Sequence, residues 1–332
     1  TRHAHNPFFQ RTRSVISIHN AAFQGVFDRQ QFWAVPEIQD YEQRINYDYG
    51  HINLLKCGVL YADKINAVSP NYASELLTHL GAHGMASVFQ QRASDLRGIL
   101  NGCDYQDWDP AFDPLLPATY DADHLAGKHT CKRALQQETG LPVGNLPIYG
   151  MVCRLTEQKG VHLLIPALDK FLQHQVQVVI VGSGDPSLAA QLQTIAQQHP
   201  DRFAFINAYD DRLAHLVEAG ADFFLMPSLF EPCGLNQMYS LAYGTLPLVR
   251  AVGGLKDTVV DWDADPARAT GFCFNDPTAS TLLDAMRRSL LHYLQEPERF
   301  ARVQQNAMHT RFDWADSIPL YEQMYQDALA PA

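Results

Sequence analysis

Leu146-Pro-Ile-Tyr-Gly-Met-Val-Cys153-Arg154-Leu-Thr-Glu-Gln-Lys159-Gly160 decides the reading of this chain. Leu146 to Cys153 is a continuous apolar run, the pattern of a strand buried on both faces of a parallel sheet. It empties into a loop with two cations, Arg154 and Lys159. Ligands of open α/β sheets bind outside the carboxyl ends of the strands, so cations placed there suit an anionic ligand. Further on, Ala221-Asp-Phe-Phe-Leu-Met226 repeats the apolar run and leads into Pro227-Ser-Leu-Phe-Glu231-Pro-Cys-Gly-Leu-Asn-Gln237. There a carboxylate, Glu231, precedes a segment that turns helical, and the N–H groups of a helix start become available to phosphate. Cations for phosphates and a carboxylate for sugar hydroxyls are the groups that a nucleotide diphosphate sugar requires.

Working outward, the alternation from residue 146 is regular. It predicts strands at 146–153, 176–182, 203–207, 222–226 and 246–250, with helices near 161–173, 186–198, 210–218 and 234–243, hence a doubly wound parallel sheet. Pro232 suits a first helical turn, where its missing N–H costs little. Gly182-Ser-Gly184 closes a strand, but no third glycine follows at dinucleotide-fingerprint spacing, so these glycines read as a tight turn. Thr278 to Leu294 and Pro297 to His309 carry apolar residues at helical spacing and read as packing surface. In the first hundred residues, Val15 to Ile18 and Ala62 to Val68 read as strands and Asn53 to Gly58 as part of a helix.

Several motifs, in one order, carry a resemblance. Arg154-Leu-Thr-Glu-Gln-Lys159-Gly, Phe230-Glu-Pro-Cys-Gly-Leu235, Tyr243-Gly-Thr-Leu-Pro-Leu248 and Gly253-Gly-Leu-Lys-Asp-Thr258 resemble the bacterial glycogen synthase and plant starch synthase family. Ile18-His19-Asn20 to Gly25, Asn53 to Lys56, Tyr61-Ala-Asp63, Val68-Ser-Pro70 and Leu100-Asn-Gly-Cys-Asp104 extend the likeness from about Ser14 to Tyr325. The resemblance implies an α/β chain of GT-B architecture, two Rossmann-like doubly wound domains facing a cleft. Residues 1–97 would belong to the N-terminal, acceptor-side domain, 98–310 to the nucleotide-sugar domain, and 311–332 to a helix returning to the first. The family's opening Lys-x-Gly-Gly-Leu loop and its His-Asp-Trp motif are not in this sequence. An incomplete N-terminal domain is therefore expected. His83-Gly-Met-Ala-Ser87 also departs from the acidic residue followed by glycine in related sequences.

The implied activity is a retaining hexosyl transfer from ADP-glucose to the non-reducing end of an α-1,4-glucan. Arg154 and Lys159 would contact the donor phosphates, Glu231 the donor glucose, and His19 the sugar from the other domain. Asn101 would face the donor sugar, Tyr209 would stack on adenine, and Cys233, Gly234 and Leu235 would offer backbone groups. Gly254 and Thr258 are expected at a helix start near phosphate. Tyr239 stands where related transferases place a second, ribose-binding Glu. A lone histidine after a strand and a glycine pair before a helix also suit purely structural roles. The alternatives are another GT-B sugar-nucleotide transferase, or a catalytically incompetent nucleotide- or glucan-binding fragment. No metal or other cofactor is implied.

Composition bounds these readings. The chain has 332 residues, enough for two domains, with 46% hydrophobic and 18% charged residues as in ordinary globular α/β proteins. A net charge of −11 with scattered basic residues argues against nucleic acid as a partner. No apolar run reaches the roughly 18 residues of a membrane span; a cytoplasmic protein, or a plastid-stromal one if from a plant, is expected. Cys57, Cys103, Cys131, Cys153, Cys233 and Cys273 are far apart with no C-x-x-C spacing, against a zinc site or disulfide framework. Cys233, expected at a helix start where thiol pKa values fall, is the thiol to watch.

Overall fold

The structure is a computed structural model and describes residues 6–28, 30–31, 47–48 and 50–330. It divides into two compact units, residues 1–101 with 315–332 and residues 102–314.

The second unit is built on six parallel strands: β7 (Ile148–Val152), β8 (Gln177–Val181), β9 (Phe203–Ile206), β10 (Phe223–Met226), β11 (Leu246–Arg250) and β12 (Phe272–Phe274). Their order is β12-β11-β10-β7-β8-β9. Counted from the first strand of the unit, this is the 3-2-1-4-5-6 order of the doubly wound fold, whose switch point lies between β7 and β10. β8, β10 and β11 are buried at every position. Alternate residues divide between two cores: Tyr149, Met151, Val178, Ile180, Phe223 and Leu225 face one, and Ile148, Val179, Val181, Phe224 and Met226 the other. This two-sided burial explains why the strands read as unbroken apolar runs.

Helices α6 (Val161–Phe171), α7 (Pro186–Gln198), α8 (Asp211–Gly220) and α9 (Asn236–Ala242) follow β7, β8, β9 and β10 in turn. α11 (Ala279–Gln295) and α12 (Pro297–His309) match the two late amphipathic segments. Asp185 and Asp210 cap α7 and α8 by accepting hydrogen bonds from their first-turn N–H groups. α10 (Gly253–Thr258) falls where a helix is expected around Gly254 and Thr258, whereas α5 (Ala126–Glu138) and β12 carry no clear signal in the sequence.

In the first unit β1 (Val15–Ile18), β5 (Lys64–Ala67) and β6 (Leu96–Gly98) form a parallel sheet in the order β1-β5-β6. α1 (Leu54–Tyr61) begins at Asn53, whose side chain accepts the Lys56 N–H. The short helices α2 (Pro70–Leu76), α3 (His79–Ala82) and α4 (Ala86–Gln91) lie between β5 and β6 in the chain. β2 (Val26–Asp28), β3 (Tyr47–Asp48) and β4 (His51–Asn53) make a small antiparallel sheet that the sequence did not announce. α13 (Trp314–Leu329) is tied to this unit by Asn66 Nδ2 to Tyr321 Oη at 3.0 Å and Ser317 Oγ to the Leu100 carbonyl at 2.7 Å.

Candidate active site

A cleft of about 270 Å³ opens at the carboxyl ends of β7 and β8, beside the switch point. Arg154 and Lys159 line it from the loop after β7, Gly182 and Ser183 from the loop after β8, and Tyr209 from the loop after β9. The residues that reach it thus come from successive strand ends, as a doubly wound sheet dictates.

The loop after β10 meets the loop after β7 here. Lys159 Nζ lies 2.6 Å from Glu231 Oε2, which also accepts the Ser228 hydroxyl at 3.0 Å. Glu231 is 6% exposed. The sequence assigned these two side chains to neighbouring parts of one ligand, and the fold brings them into direct contact. Gly160 makes that approach possible. Its φ is +71°, and a Cβ on it would fall 1.9 Å from the Pro227 carbonyl oxygen, so any side chain would drive the two loops apart. Arg154 is exposed at the cleft, and its guanidinium has no ion-pair partner among the described residues. One cation is therefore held by a carboxylate and the other is available.

Two expectations about helix starts are corrected. α9 begins at Asn236, so Pro232, Cys233, Gly234 and Leu235 lie in the loop ahead of it. Gly234 takes φ +74°, which takes the chain out of the right-handed helical region before α9 can start. Cys233 is buried in that loop rather than set in a helical first turn. Thr258 is the last residue of α10, not at its start, and its hydroxyl donates back to the Gly254 carbonyl at 2.7 Å. The Gly254 N–H donates to the Glu231 carbonyl at 3.0 Å, so it braces the Glu231 loop. Gln237, fully buried, ties the same region together through Nε2 to the Cys233 carbonyl at 3.0 Å and Thr258 Oγ1 at 3.2 Å.

Tyr209 presents a ring 84% exposed at the cleft. His19 and Asn101 belong to the other unit; His19 is exposed immediately after β1, and Asn101 is half-buried. Neither is among the residues lining the cleft.

Sequence reasoning missed the cleft's deeper wall. Trp108 lines it, stacked between His215 (centroids 3.6 Å apart, planes 20°) and Tyr239 (4.2 Å, 7°). His215 Nδ1 is 2.7 Å from Asp113 Oδ2, which also accepts the Tyr243 hydroxyl at 2.6 Å. Burial raises the Asp113 carboxyl, but the hydrogen bonds from His215, Tyr243 and the Leu115 N–H outweigh it and hold the group below the usual carboxylate range. The charged acid therefore anchors the ring stack. Cys153 also lines the cleft, and burial pushes its thiol up to about 12, which keeps it protonated and unreactive. An acid inside the run Leu213 to Gly220, where every residue is buried, was the available signal for Glu218, which lines the cleft as well.

A second cavity, about 280 Å³, lies at the opposite ends of the strands. Its lysines are already engaged: Lys128 donates to the Ala219 and Tyr243 carbonyls and to Thr245 Oγ1, and Lys132 pairs with Asp222 at 2.7 Å. Among the described residues no cluster of three or more metal-ligating side chains occurs, and no helix is long and apolar enough to cross a membrane.

A parallel doubly wound sheet, a second unit with its own parallel sheet, and two cations with a carboxylate beside the switch point fit a glycosyltransferase of the GT-B class. Comparison with known proteins specifies it further. The starch synthase catalytic domain family matches residues 1–91, and the group 1 glycosyl transferase family matches residues 133–308. A glycogen synthase from Aeromonas hydrophila is 88% identical over 330 residues, 99% of this chain and 68% of the relative. One from Vibrio cholerae is 54% identical over 330 residues, 98% and 68% respectively. Among solved structures, the catalytic domain of starch synthase IV from Arabidopsis thaliana, bound to ADP and acarbose, superposes with a TM-score of 0.91 at 30% identity, covering 99% of this chain and 70% of that one. A sucrose-phosphate synthase from Thermosynechococcus elongatus shares the fold, with a TM-score of 0.59 at 21% identity, 94% of this chain and 67% of that one. The chain belongs to the glycogen synthase family, enzymes that transfer hexosyl groups from a nucleotide sugar to a glucan.

Proposed function

We propose that the donor is ADP-glucose and that its glucose passes, with retention, to the non-reducing end of an α-1,4-glucan. The observation that carries this reading is the contact of Lys159 with Glu231 beside the available Arg154, all at the switch point. The Arabidopsis relative, captured with ADP, supports the choice of base.

In this reading the diphosphate lies over Arg154 and Lys159, the glucose against Glu231, and adenine on the ring of Tyr209. As the glycosidic bond breaks, negative charge grows on the leaving phosphate. A lysine ammonium is a compact point charge suited to that position, and charge stabilisation of this kind commonly contributes more to catalysis than any other single effect. Both cations come from the protein, so the proposal includes no metal or other cofactor. The Cys233 to Leu235 loop supplies backbone groups to the donor; Gly254 and Thr258 support that loop. His19 and Asn101 keep the donor-sugar roles that the resemblance implies, each open to substitution.

Titration with ADP and with UDP, alongside label transfer from ADP-glucose and UDP-glucose into glycogen, tests the reading. It requires tighter binding of ADP and transfer from ADP-glucose. Preference for UDP, or label passing only from UDP-glucose, would contradict it.

A further inference from the structure

α8 lays one stripe along the cleft: Asp211, Ala214 and Glu218, three and then four residues apart, all line it. Residues at that spacing share a helix face, and seven residues descend about 10 Å. Asp211 is exposed at the entrance, whereas Glu218 is 1% exposed at the bottom. Glu218 Oε2 accepts the Ser240 hydroxyl at 2.6 Å. Among the described residues Oε1 has no hydrogen-bond partner.

Oε1 is not fully enclosed: it keeps access to the cleft that Glu218 lines, where a ligand group can hydrogen-bond to it. Burial also pushes the Glu218 carboxyl well above the usual carboxylate range, only partly opposed by the Ser240 bond and by Lys128. A neutral carboxyl is both donor and acceptor. Such a group suits a hydroxyl, which also donates and accepts, and it adds no charge that would repel a nearby diphosphate.

The proposed reading of the cleft, on which this inference rests, fixes which hydroxyl. Phosphates lie at Arg154 and Lys159, after β7, and the base at Tyr209, after β9. In a nucleoside diphosphate the ribose is the part between them. Its 2′ and 3′ hydroxyls are the groups able to point away from both ends toward the α8 wall.

We propose that Glu218 holds the ribose hydroxyls of the donor nucleotide through Oε1 and makes the cleft selective for ribonucleotides. Calorimetric titration of the wild-type chain with ADP, 2′-deoxy-ADP and 3′-deoxy-ADP is the test, repeated on Glu218→Met. The wild type should bind at least one deoxy analogue three- to tenfold more weakly than ADP, the range of one neutral hydrogen bond. In Glu218→Met, ADP should weaken by a similar factor and the discrimination should vanish. A purely structural carboxyl would lower all three affinities together and leave their ratios unchanged, which would overturn the proposal. Equal binding of the three nucleotides by the wild type overturns it without any variant. If ADP itself does not bind, the reading of the cleft fails along with it. Should Glu218→Met not fold, the wild-type complex with ADP decides: O2′ or O3′ within about 3.2 Å of Oε1 supports the assignment, and separation beyond about 4 Å refutes it.

Discussion

Removing Lys159 should do two separable things, because its ammonium both faces the cleft and holds a buried carboxylate. Glu231 is 6% exposed and has Lys159 at 2.6 Å and the Ser228 hydroxyl at 3.0 Å. Lys159→Ala leaves that carboxylate with the hydroxyl and no counter-charge. Breaking a buried pair from one side typically costs about 3–5 kcal/mol; the lysine side chain is 20% exposed, which places the expected loss at or below the lower end. The same substitution deletes a charge-assisted contact to phosphate, worth roughly 1.5–3 kcal/mol, or about 10- to 150-fold in ADP affinity. Glu231→Gln separates the effects. It keeps the shape, removes the charge and releases Lys159, so ADP should bind as well as before or better while glucosyl transfer collapses. Lys159→Ala combined with Glu231→Gln should recover stability but not ADP affinity, a coupling that a double-mutant cycle isolates. Calorimetry with ADP and denaturant unfolding of the four proteins read both quantities. Unchanged ADP affinity in Lys159→Ala would refute the phosphate role, and a Glu231→Gln loss as large as that of Lys159→Ala would refute the division of labour.

Three further outcomes are expected. Gly160→Ala places a methyl 1.9 Å from the Pro227 carbonyl oxygen at φ +71°; it should destabilise by at least the roughly 1–2 kcal/mol of a left-handed residue and weaken ADP as the loops part, and full stability in denaturant unfolding would contradict the packing argument. Tyr209→Ala should weaken ADP by about 5- to 150-fold if the ring stacks on adenine, at roughly 1–3 kcal/mol per base, with no effect on inorganic pyrophosphate binding; equal losses for both ligands would place the base elsewhere. Burial pushes Lys128 down to about 8, below the ordinary value near 10.4. Between about pH 8 and 10 the unfolded chain then binds more protons than the folded one, so this group makes folding more favourable as pH rises, by at most about 1.4 kcal/mol per unit. The stability of the wild type relative to Lys128→Met should therefore climb across that window; a flat difference would show that burial does not lower the lysine below its ordinary value.

Strand burial made most of the second unit legible. Ile148 to Val152 and Phe223 to Met226 announce themselves because both faces are covered, and their loops carry the charged residues that the sheet order then brings together. Local rules failed where tertiary contacts decide. Pro232 looked helical, yet Gly234 in a left-handed conformation postpones α9 to Asn236. Thr258 looked like a helix start and is a helix end, because α10 spans only Gly253–Thr258. The antiparallel strands near Val26 and His51, three residues each, are too short for periodicity to register. Trp108 and Asp113 come from the loop ahead of α5, His215 from α8 and Tyr239 from α9, three segments far apart in the chain, so no local spacing could link them. Glu218 was visible only as an acid in an apolar run.

A crystal structure of the chain with ADP tests the central claim most directly. The account predicts the diphosphate within hydrogen-bond distance of Arg154 and Lys159, its terminal phosphate beside Glu231, and adenine on the ring of Tyr209. ADP found in the cavity beside Lys128 and Lys132, or in the cleft with its base toward Glu231 and its phosphates toward Tyr209, would contradict it.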